Sequence, residues 1–307
     1  PLPTDLSDFR GRLQGELFPA LRRHVGRLGD RAKRLVAVLE LVRVEAHLPW
    51  MRGAIGRPRK DRAALARAFV AKAVYGIAET RRLLERLEAD PVLRGLCGFP
   101  HSTALASEAT FSRAFAEFAA AELPARMHEA LVTNGFAGHL VGHVARDATA
   151  IEAREKPVWT ASPRRRRRKL RPRRGEPGWE TLNRLDRQGE MTLAEMLADL
   201  PRHCAVGVKI DAKGRKQRWT GYKLHLDVAD TGVPLGALLT SASLHDSQAA
   251  IPLAAITSGR VQHCYELMDS GYDADPIRDD ARRRGRVAIV AAQPRRGGKG
   301  EAAAEAL

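Results

Sequence analysis

The first 137 positions carry apolar residues at the three-to-four-residue spacing of helices. One series runs through 31–48 and ends before Pro49, and a second, between Arg62 and Ile77, steps by four. A third helix carries Leu83–Leu87, and a fourth follows the potential cap Ser107 and carries Phe111, Phe115 and Phe118. No strand-like alternation of any length interrupts this region. The pattern therefore predicts an all-α N-terminal domain over residues 1–137.

The pattern changes near Gly138, where β-branched residues and alternation begin. Residues 139–151 read as a strand, and 221–230 and 233–242 read as a hairpin around Thr231-Gly232. A helix over 246–258, a strand over 261–269, a helix over 275–285 and a buried strand over 286–292 follow. Strands that first pair as a hairpin and then alternate with helices predict a mixed sheet covered by helices. The predicted fold class is α+β, with a mixed α/β domain over residues 138–307.

An insertion interrupts the second domain at about 153–205. It contains Pro157, Pro163, Pro172 and Pro177, a short amphipathic piece at 193–200, and the basic run RRRRRKLRPRR at 164–174. Nine of those eleven positions are Arg or Lys. The composition predicts a segment that is at least partly flexible.

The net positive charge of the chain indicates the kind of molecule that it binds. The 307 residues include 52 Lys and Arg against 36 Asp and Glu, a net charge of +16, so a polyanion is the expected partner. No apolar run is long enough for a membrane span, and no secretory leader is recognisable. Three widely separated cysteines predict a reducing compartment, and hence the cytoplasm. Because the first residue is not Met, we expect the natural start to lie upstream.

Candidate chemistry rests on two aspartates. The chain has no P-loop, no G-x-G-x-x-G after a strand and no G-x-S-x-G, and His139 and His143 read as ordinary histidines. Asp147 lies inside a predicted strand, and Asp269 closes another. Two carboxylates brought together by a sheet suit Mg²⁺, although a strand-end Asp also serves as a turn or cap residue. Spacing alone leaves both interpretations open.

Several motifs, in order, resemble those of one family. DATAIEAREKP, GYKLHLDV, LLTSASLHDSQ and MDSGYDAD, with LPWMRGAIGRPRKDRAALARAFV and SEATFSRAFAEFA before them, are similar to DDE-type transposases of bacterial insertion sequences. The resemblance implies a ribonuclease H-like catalytic domain that binds Mg²⁺ (or Mn²⁺) through two Asp and one Glu. It implies cleavage and strand transfer at element ends, with Asp147 as the first acid and Asp269 as the second.

The same resemblance implies the partners. These are DNA, as terminal inverted repeats and target, and further copies of the chain in a homo-oligomer on DNA. No membrane and no small-molecule substrate are implied, and the location is the bacterial cytoplasm, associated with the nucleoid.

The third acid departs from the family pattern. The family places it in Tyr-x-x-Arg-x-x-x-Glu after the last core strand, whereas only Glu301 and Glu305 follow that strand here, without the Tyr and Arg. We therefore expect a chain truncated before its third acid, with little or no DNA cleavage by residues 1–307 alone. Glu152 should point away from Asp147, and Asp246 reads as a helix N-cap.

Two alternatives to a working transposase stay open. The first is a non-catalytic DNA-binding remnant that keeps the fold and loses the chemistry. The second is a basic protein of RNA metabolism, which the 5% content of aromatic residues disfavours because RNA-stacking surfaces use aromatic side chains.

Candidate DNA contacts fall in three regions. Arg57, Arg59 and Lys60 resemble a segment that inserts into the minor groove of DNA. The alternative interpretation is a plain basic loop that leads into a helix capped by Asp61. Arg113 would face DNA if the helices around 80–87 and 108–118 formed a helix-turn-helix-like pair. Phosphate contacts are expected from Lys223 and from the basic run, namely Arg164, Arg165, Arg166, Arg167, Arg168, Lys169 and Arg171.

Overall fold

The computed structural model describes residues 28–48, 60–158, 174–175, 179, 182–210 and 215–291. The chain divides into two compact units between Leu131 and Val132, whereas the sequence pattern places the boundary after residue 137. Among the described residues, no helix is long and apolar enough to cross a membrane.

The N-terminal unit is helical, as predicted. Its elements are α1 (Asp30–Val42), a 3₁₀ turn (Val44–His47), α2 (Arg62–Val74), α3 (Thr80–Ala89), α4 (Pro91–Cys97), a second 3₁₀ turn (Ser102–Ala104), α5 (Glu108–Ala120) and α6 (Leu123–Gly135), which runs past the division between the units. The helix α4 was not predicted, because its single turn of apolar residues is too short to show periodicity.

Short polar side chains start two of these helices. The Asp61 carboxylate accepts the Ala63 N–H at 2.8 Å at the start of α2. Asp90 accepts the Leu93 N–H at 3.0 Å, and Pro91 takes the first position of α4, where its missing N–H costs nothing. Ser107 precedes α5 but caps no backbone N–H.

The predicted apolar positions form the core of this unit. Leu35, Leu65 and Leu83 are fully buried. The ring of Phe69 lies 5.7 Å from that of Phe111 in an edge-to-face arrangement, which joins α2 to α5.

The C-terminal unit alternates strands and helices. Its elements are β1 (Leu140–Glu152), α7 (Arg184–Gln188), α8 (Leu193–Asp199), β2 (Ala205–Ile210), β3 (Lys216–Ala229), β4 (Pro234–Ser241), α9 (Ser247–Ser258), β5 (Gln262–Met268), a 3₁₀ turn (Ser270–Tyr272), α10 (Asp275–Arg283) and β6 (Val287–Val290). The predicted hairpin is present as β3 and β4, and the mixed α/β expectation is confirmed.

These six strands form one mixed sheet. In the order β4-β3-β1-β5-β6, β1 runs antiparallel to β3 and parallel to β5, and β6 runs parallel to β5. The strand β2 pairs with the first half of β3. It was not predicted, and it begins at Ala205, where the predicted insertion ends. Within the insertion, the described residues form two short helices, α7 and α8.

The sheet needs a glycine where three strands meet. Gly221 of β3 is paired with Glu152 of β1 and with Ala205 of β2. Its φ is +149°, and a Cβ atom there would lie 2.1 Å from the carbonyl oxygen of Ile151. Only a residue without a side chain permits that approach of β1 to β3.

Helices cover one face of the sheet with apolar side chains. Met196 of α8, Ile251 of α9 and Ile277 of α10 pack in one buried cluster with Met268 and Tyr272. The cluster lies beneath the carboxyl end of β5, where Asp269 follows.

Candidate active site

Adjacent strands place the two predicted catalytic aspartates side by side. The parallel register of β1 and β5 pairs Arg146 with Met268. Asp147 follows Arg146 within β1, and Asp269 follows Met268 directly after the end of β5. Paired strands lie about 4.8 Å apart, so the two side chains leave neighbouring backbones at the same level of the sheet. Both residues are exposed. The structure thus brings together the residues that the motifs singled out.

Local hydrogen bonds fix one oxygen of each carboxylate. Asp147 Oδ1 accepts the Ala148 N–H at 2.7 Å. Asp269 Oδ1 accepts the Gly271 N–H at 2.9 Å, which makes Asp269 the cap of the 3₁₀ turn after β5. The cap interpretation of a strand-end Asp and the functional one are therefore compatible.

A buried ion network lies beneath Asp147. Arg146 donates from Nε and Nη2 to the two oxygens of Asp227 at 2.7 and 2.9 Å, and from Nη1 to Glu266 at 3.1 Å. All three side chains are at most 2% exposed. Thr257 donates its hydroxyl to Asp227 at 2.6 Å. The guanidinium thus joins β1 to both neighbouring strands one residue before Asp147.

The charges in this network shift its pKa values. Burial acts to lower the pKa of Arg146, but Asp227 and Glu266 outweigh it and raise the pKa above its ordinary value. Burial acts to raise the pKa of Glu266, but the hydrogen bond from His263 and the charge of Arg146 hold it at about 2. Arg146 and Glu266 are therefore both ionised at neutral pH.

A second group of polar residues lies on β3 and at the start of α9. Lys223 Nζ donates to Asp246 Oδ1 and to the Leu244 carbonyl, each at 2.8 Å. His225 is fully buried, and its Nε2 lies 2.8 Å from Thr240 Oγ1. Burial, which outweighs the charge of Asp246, lowers the pKa of His225 to about 4, so the ring is neutral at pH 7.

The carboxylate pair suits a hard cation but does not complete a site. Oxygen ligands from Asp147 and Asp269 are those that Mg²⁺ prefers. Within the described part of the chain, no three His, Cys, Asp or Glu side chains are close enough to hold a metal ion together. The pair therefore fits part of a divalent-cation site, which no third side chain completes within the described residues.

Three of the predicted DNA contacts fall on described residues. Lys60 is exposed and donates to the Ala104 carbonyl at 3.3 Å, and Arg113 is exposed on α5. Lys223 is paired with Asp246, as above. The others lie outside the described residues, namely Arg57, Arg59, Arg164, Arg165, Arg166, Arg167, Arg168, Lys169 and Arg171, as do Glu301 and Glu305. Arg174, the last residue of the basic run, donates to Glu195 Oε1 at 2.5 Å.

Two further expectations change with the structure. The helices α3 and α5 are separated by α4 and a 3₁₀ turn, which departs from a simple helix-turn-helix. Asp246 stands at the N-terminus of α9, but its side chain caps no N–H. The N-cap interpretation of Asp246 was therefore wrong, because its carboxylate pairs with Lys223 instead.

The ion network was the main omission of the sequence analysis. Asp227 lies in the alternating motif GYKLHLDV, two positions from the buried His225, so the strand period places its carboxylate on the covered face of the sheet. A charge at a buried strand position requires a counter-charge. The sequence alone therefore indicated that Asp227 needs a positively charged partner, but it did not indicate that the partner lies on β1.

Comparison with models of protein families shows which family the chain belongs to. A family model described as Transposase domain (DUF772) matches residues 20–117, and one described as Transposase DDE domain matches residues 142–305. The second match covers more than half of the chain. The protein belongs to the DDE transposases. No curated protein and no solved structure matched the chain. The family confirms the resemblance stated from the motifs and implies a DNA substrate.

Proposed function

We propose that this DDE transposase cleaves DNA at the ends of an insertion sequence and joins them to target DNA, using Mg²⁺ or Mn²⁺ held by Asp147 and Asp269. The observation that carries the proposal is that each aspartate directly follows one member of the paired residues Arg146 and Met268 on adjacent parallel strands. A divalent cation supplies Lewis-acid activation of the attacking and leaving oxygens in such phosphoryl transfer.

The chain's own groups would hold and neutralise the DNA. In this proposal, Asp147 and Asp269 bind the cation, and Lys223 supplies a positive charge for a phosphate oxygen. The strand order β4-β3-β1-β5-β6, with three antiparallel strands followed by two parallel ones, supports a ribonuclease H-like interpretation of the second unit. We expect homo-oligomers on DNA, since two element ends must be joined.

Sequence-independent DNA affinity would come from basic side chains. Lys60 and Arg113 are exposed on the N-terminal unit, and the run at 164–174 adds nine positive charges within the second domain. Each phosphate that such a charge neutralises releases counter-ions, so binding should weaken steeply with salt.

The proposal is tested with a supercoiled plasmid and the full chain. We expect weak nicking that requires Mg²⁺ or Mn²⁺ and that Asp147→Asn and Asp269→Asn each abolish, while Asp279→Asn on α10 leaves it unchanged. Nicking that survives both substitutions, or that proceeds in EDTA, would contradict the proposal. The expectation of little or no cleavage by residues 1–307 stays a prediction, and detectable Mg²⁺-dependent strand transfer that Asp147→Ala abolishes would overturn it.

The second candidate is a DNA-binding protein without catalysis. The observation that favours it is the lack of three metal-ligating side chains in proximity among the described residues. Such a protein binds DNA equally well with and without EDTA and nicks it in neither case. A transposase should show both binding and cation-dependent nicking, so the plasmid assay separates the two candidates.

A further inference from the structure

The strand β3 extends beyond the rest of the sheet and forms an arm with β2. Its first half, from Lys216 to Gly221, pairs with β2, whereas the pairing with β1 ends at Gly221 and the pairing with β4 ends at Tyr222. Before Gly221, β3 pairs with β2 alone among the described strands. Residues 205–210 and 216–221 therefore form a two-stranded ribbon, which we call the β2–β3 arm.

A tryptophan and a glycine hold the two strands of the arm together. Trp219 is paired with Gly207 across the strands, and a Cβ atom on Gly207 would lie 2.3 Å from Trp219 Cζ2. The glycine thus leaves room for the indole ring, whose Nε1 donates to the Tyr222 carbonyl at 3.0 Å. An aromatic ring that covers a glycine on the partner strand pins the register of the pair. The arm therefore presents its remaining side chains at defined positions.

The arm carries positive charge and no acidic residue. Residues 205–210 and 216–221 include Lys209, Lys216 and Arg218 and neither Asp nor Glu, and Arg215 directly precedes the second strand. All four basic residues are exposed. Lys209, Lys216 and Arg218 form no ion pair with any residue that the structure describes. Uncompensated charges of one sign on a narrow, exposed element attract a polyanion.

Two of these charges lie on the face of the sheet that carries Asp147. Asp147 is paired with Leu226 of β3, and side chains alternate between the two faces along a strand. Arg218 and Lys216 lie eight and ten residues before Leu226, and the pairing of β3 with β1 and with β2 runs without a shift. Both side chains therefore belong to the face of Leu226 and Asp147.

We propose that the β2–β3 arm binds the phosphates of duplex DNA beside the bond that is cut at Asp147, an inference that rests on the proposed function. At about 3.4 Å per residue, Arg218 lies at most about 27 Å along β3 from the level of Asp147. Duplex DNA also rises about 3.4 Å per base pair, so one duplex contacts both places about eight base pairs apart. The major groove of DNA admits a two-stranded ribbon, which suits the shape of the arm. These basic residues lie outside the run at 164–174 and outside every contact predicted from the sequence.

The test measures binding of the full chain to a fluorescein-labelled DNA duplex of three helical turns, by fluorescence anisotropy in EDTA at several salt concentrations. Lys216→Gln combined with Arg218→Gln should weaken binding about tenfold and lower the slope of log affinity against log salt by about 2, since each phosphate contact contributes about 0.9. The matched control is Arg278→Gln combined with Arg282→Gln. It also removes two charges, but from α10, where they are paired with Asp273 at 2.7 Å and Asp279 at 3.0 Å. The control should keep the affinity and the salt slope of the unmodified chain.

A charge-conserving variant separates phosphate contact from loss of structure. Lys216→Arg combined with Arg218→Lys keeps both charges and should bind DNA like the unmodified chain. An equal loss of affinity in this variant would overturn the proposal, as would equal affinity and salt slope in the glutamine variant and the α10 control. Because binding is measured without a divalent cation, these results leave the catalytic role of Asp147 and Asp269 standing, and the plasmid assay tests that role separately. If the unmodified chain does not bind the duplex, the proposed function fails as well.

Discussion

Replacing Arg146 with Met tests the buried ion network most severely. The substitution keeps an unbranched side chain of similar length and removes the charge. Asp227 then loses two hydrogen bonds of 2.7 and 2.9 Å and keeps the Thr257 hydroxyl. Glu266 loses one of 3.1 Å and keeps His263 and Arg286. Two carboxylates therefore stay buried with less counter-charge.

The expected cost follows from the burial of these groups. Removing one partner of a buried ion pair costs about 3–5 kcal/mol, because the remaining charge is left without compensation. A domain is stable by only about 5–15 kcal/mol, so this loss is a large fraction of the total. The network also joins β1 to β3 and β5, and a weakened register should loosen the placement of Asp147 beside Asp269.

Urea unfolding followed by far-ultraviolet circular dichroism measures the loss. Arg282→Met is the matched control, since Arg282 pairs with Asp279 on the surface with side chains 79% and 61% exposed. Exposed pairs contribute about 0–1 kcal/mol, so the control should unfold almost like the unmodified chain. A loss for Arg146→Met no larger than that of the control would refute the view that this network holds the central strands together.

Three further predictions concern stability. Gly221→Ala should cost at least about 2 kcal/mol in urea unfolding, because its Cβ would meet the backbone of β1 at 2.1 Å, whereas Gly232→Ala, with φ +80° and open space around it, should cost less. Folding lowers the pKa of Glu266 from 4.5 to about 2, so its contribution to folding stability is complete above pH 4.5 and is lost as the pH falls toward 2. Glu266→Gln should therefore flatten the dependence of the urea midpoint on pH between these values, and an unchanged slope would contradict this account. Phe111→Ala, at a fully buried ring, should destabilise the N-terminal unit by about 3–5 kcal/mol, and Phe115→Ala, 62% exposed, by under about 1 kcal/mol; equal losses would disprove the assigned core.

The helices and most strands were predictable because their apolar spacing is local. Leu35, Leu65 and Leu83 each belong to a separate series of apolar residues at helical spacing, and all three are buried in the N-terminal unit. The hairpin of β3 and β4 was predictable from alternation on both sides of Thr231-Gly232. The strand β2 was not predictable, because AVGVKI is too short to show clear alternation and follows a proline-rich, basic segment whose composition indicates a loop.

The site was predictable only in part. Motif order singled out Asp147 and Asp269, but their proximity depends on the pairing of strands that are more than a hundred residues apart. The partners of Arg146 and of Asp246 depend on the same long-range register, and no local pattern contains it. Asp246 therefore looked like an ordinary helix cap, which is the commonest role of an aspartate before a helix.

Iron-directed cleavage of the polypeptide tests the cation centre most directly. Fe²⁺ that replaces Mg²⁺ generates hydroxyl radicals with ascorbate and peroxide, and these cut the backbone next to the bound ion. We predict cuts near Asp147 and near Asp269 that excess Mg²⁺ suppresses and that Asp147→Asn removes from both places. Cuts confined to other parts of the chain, or cuts at these two positions that neither Mg²⁺ nor the substitution affects, would contradict a shared cation centre at the two aspartates.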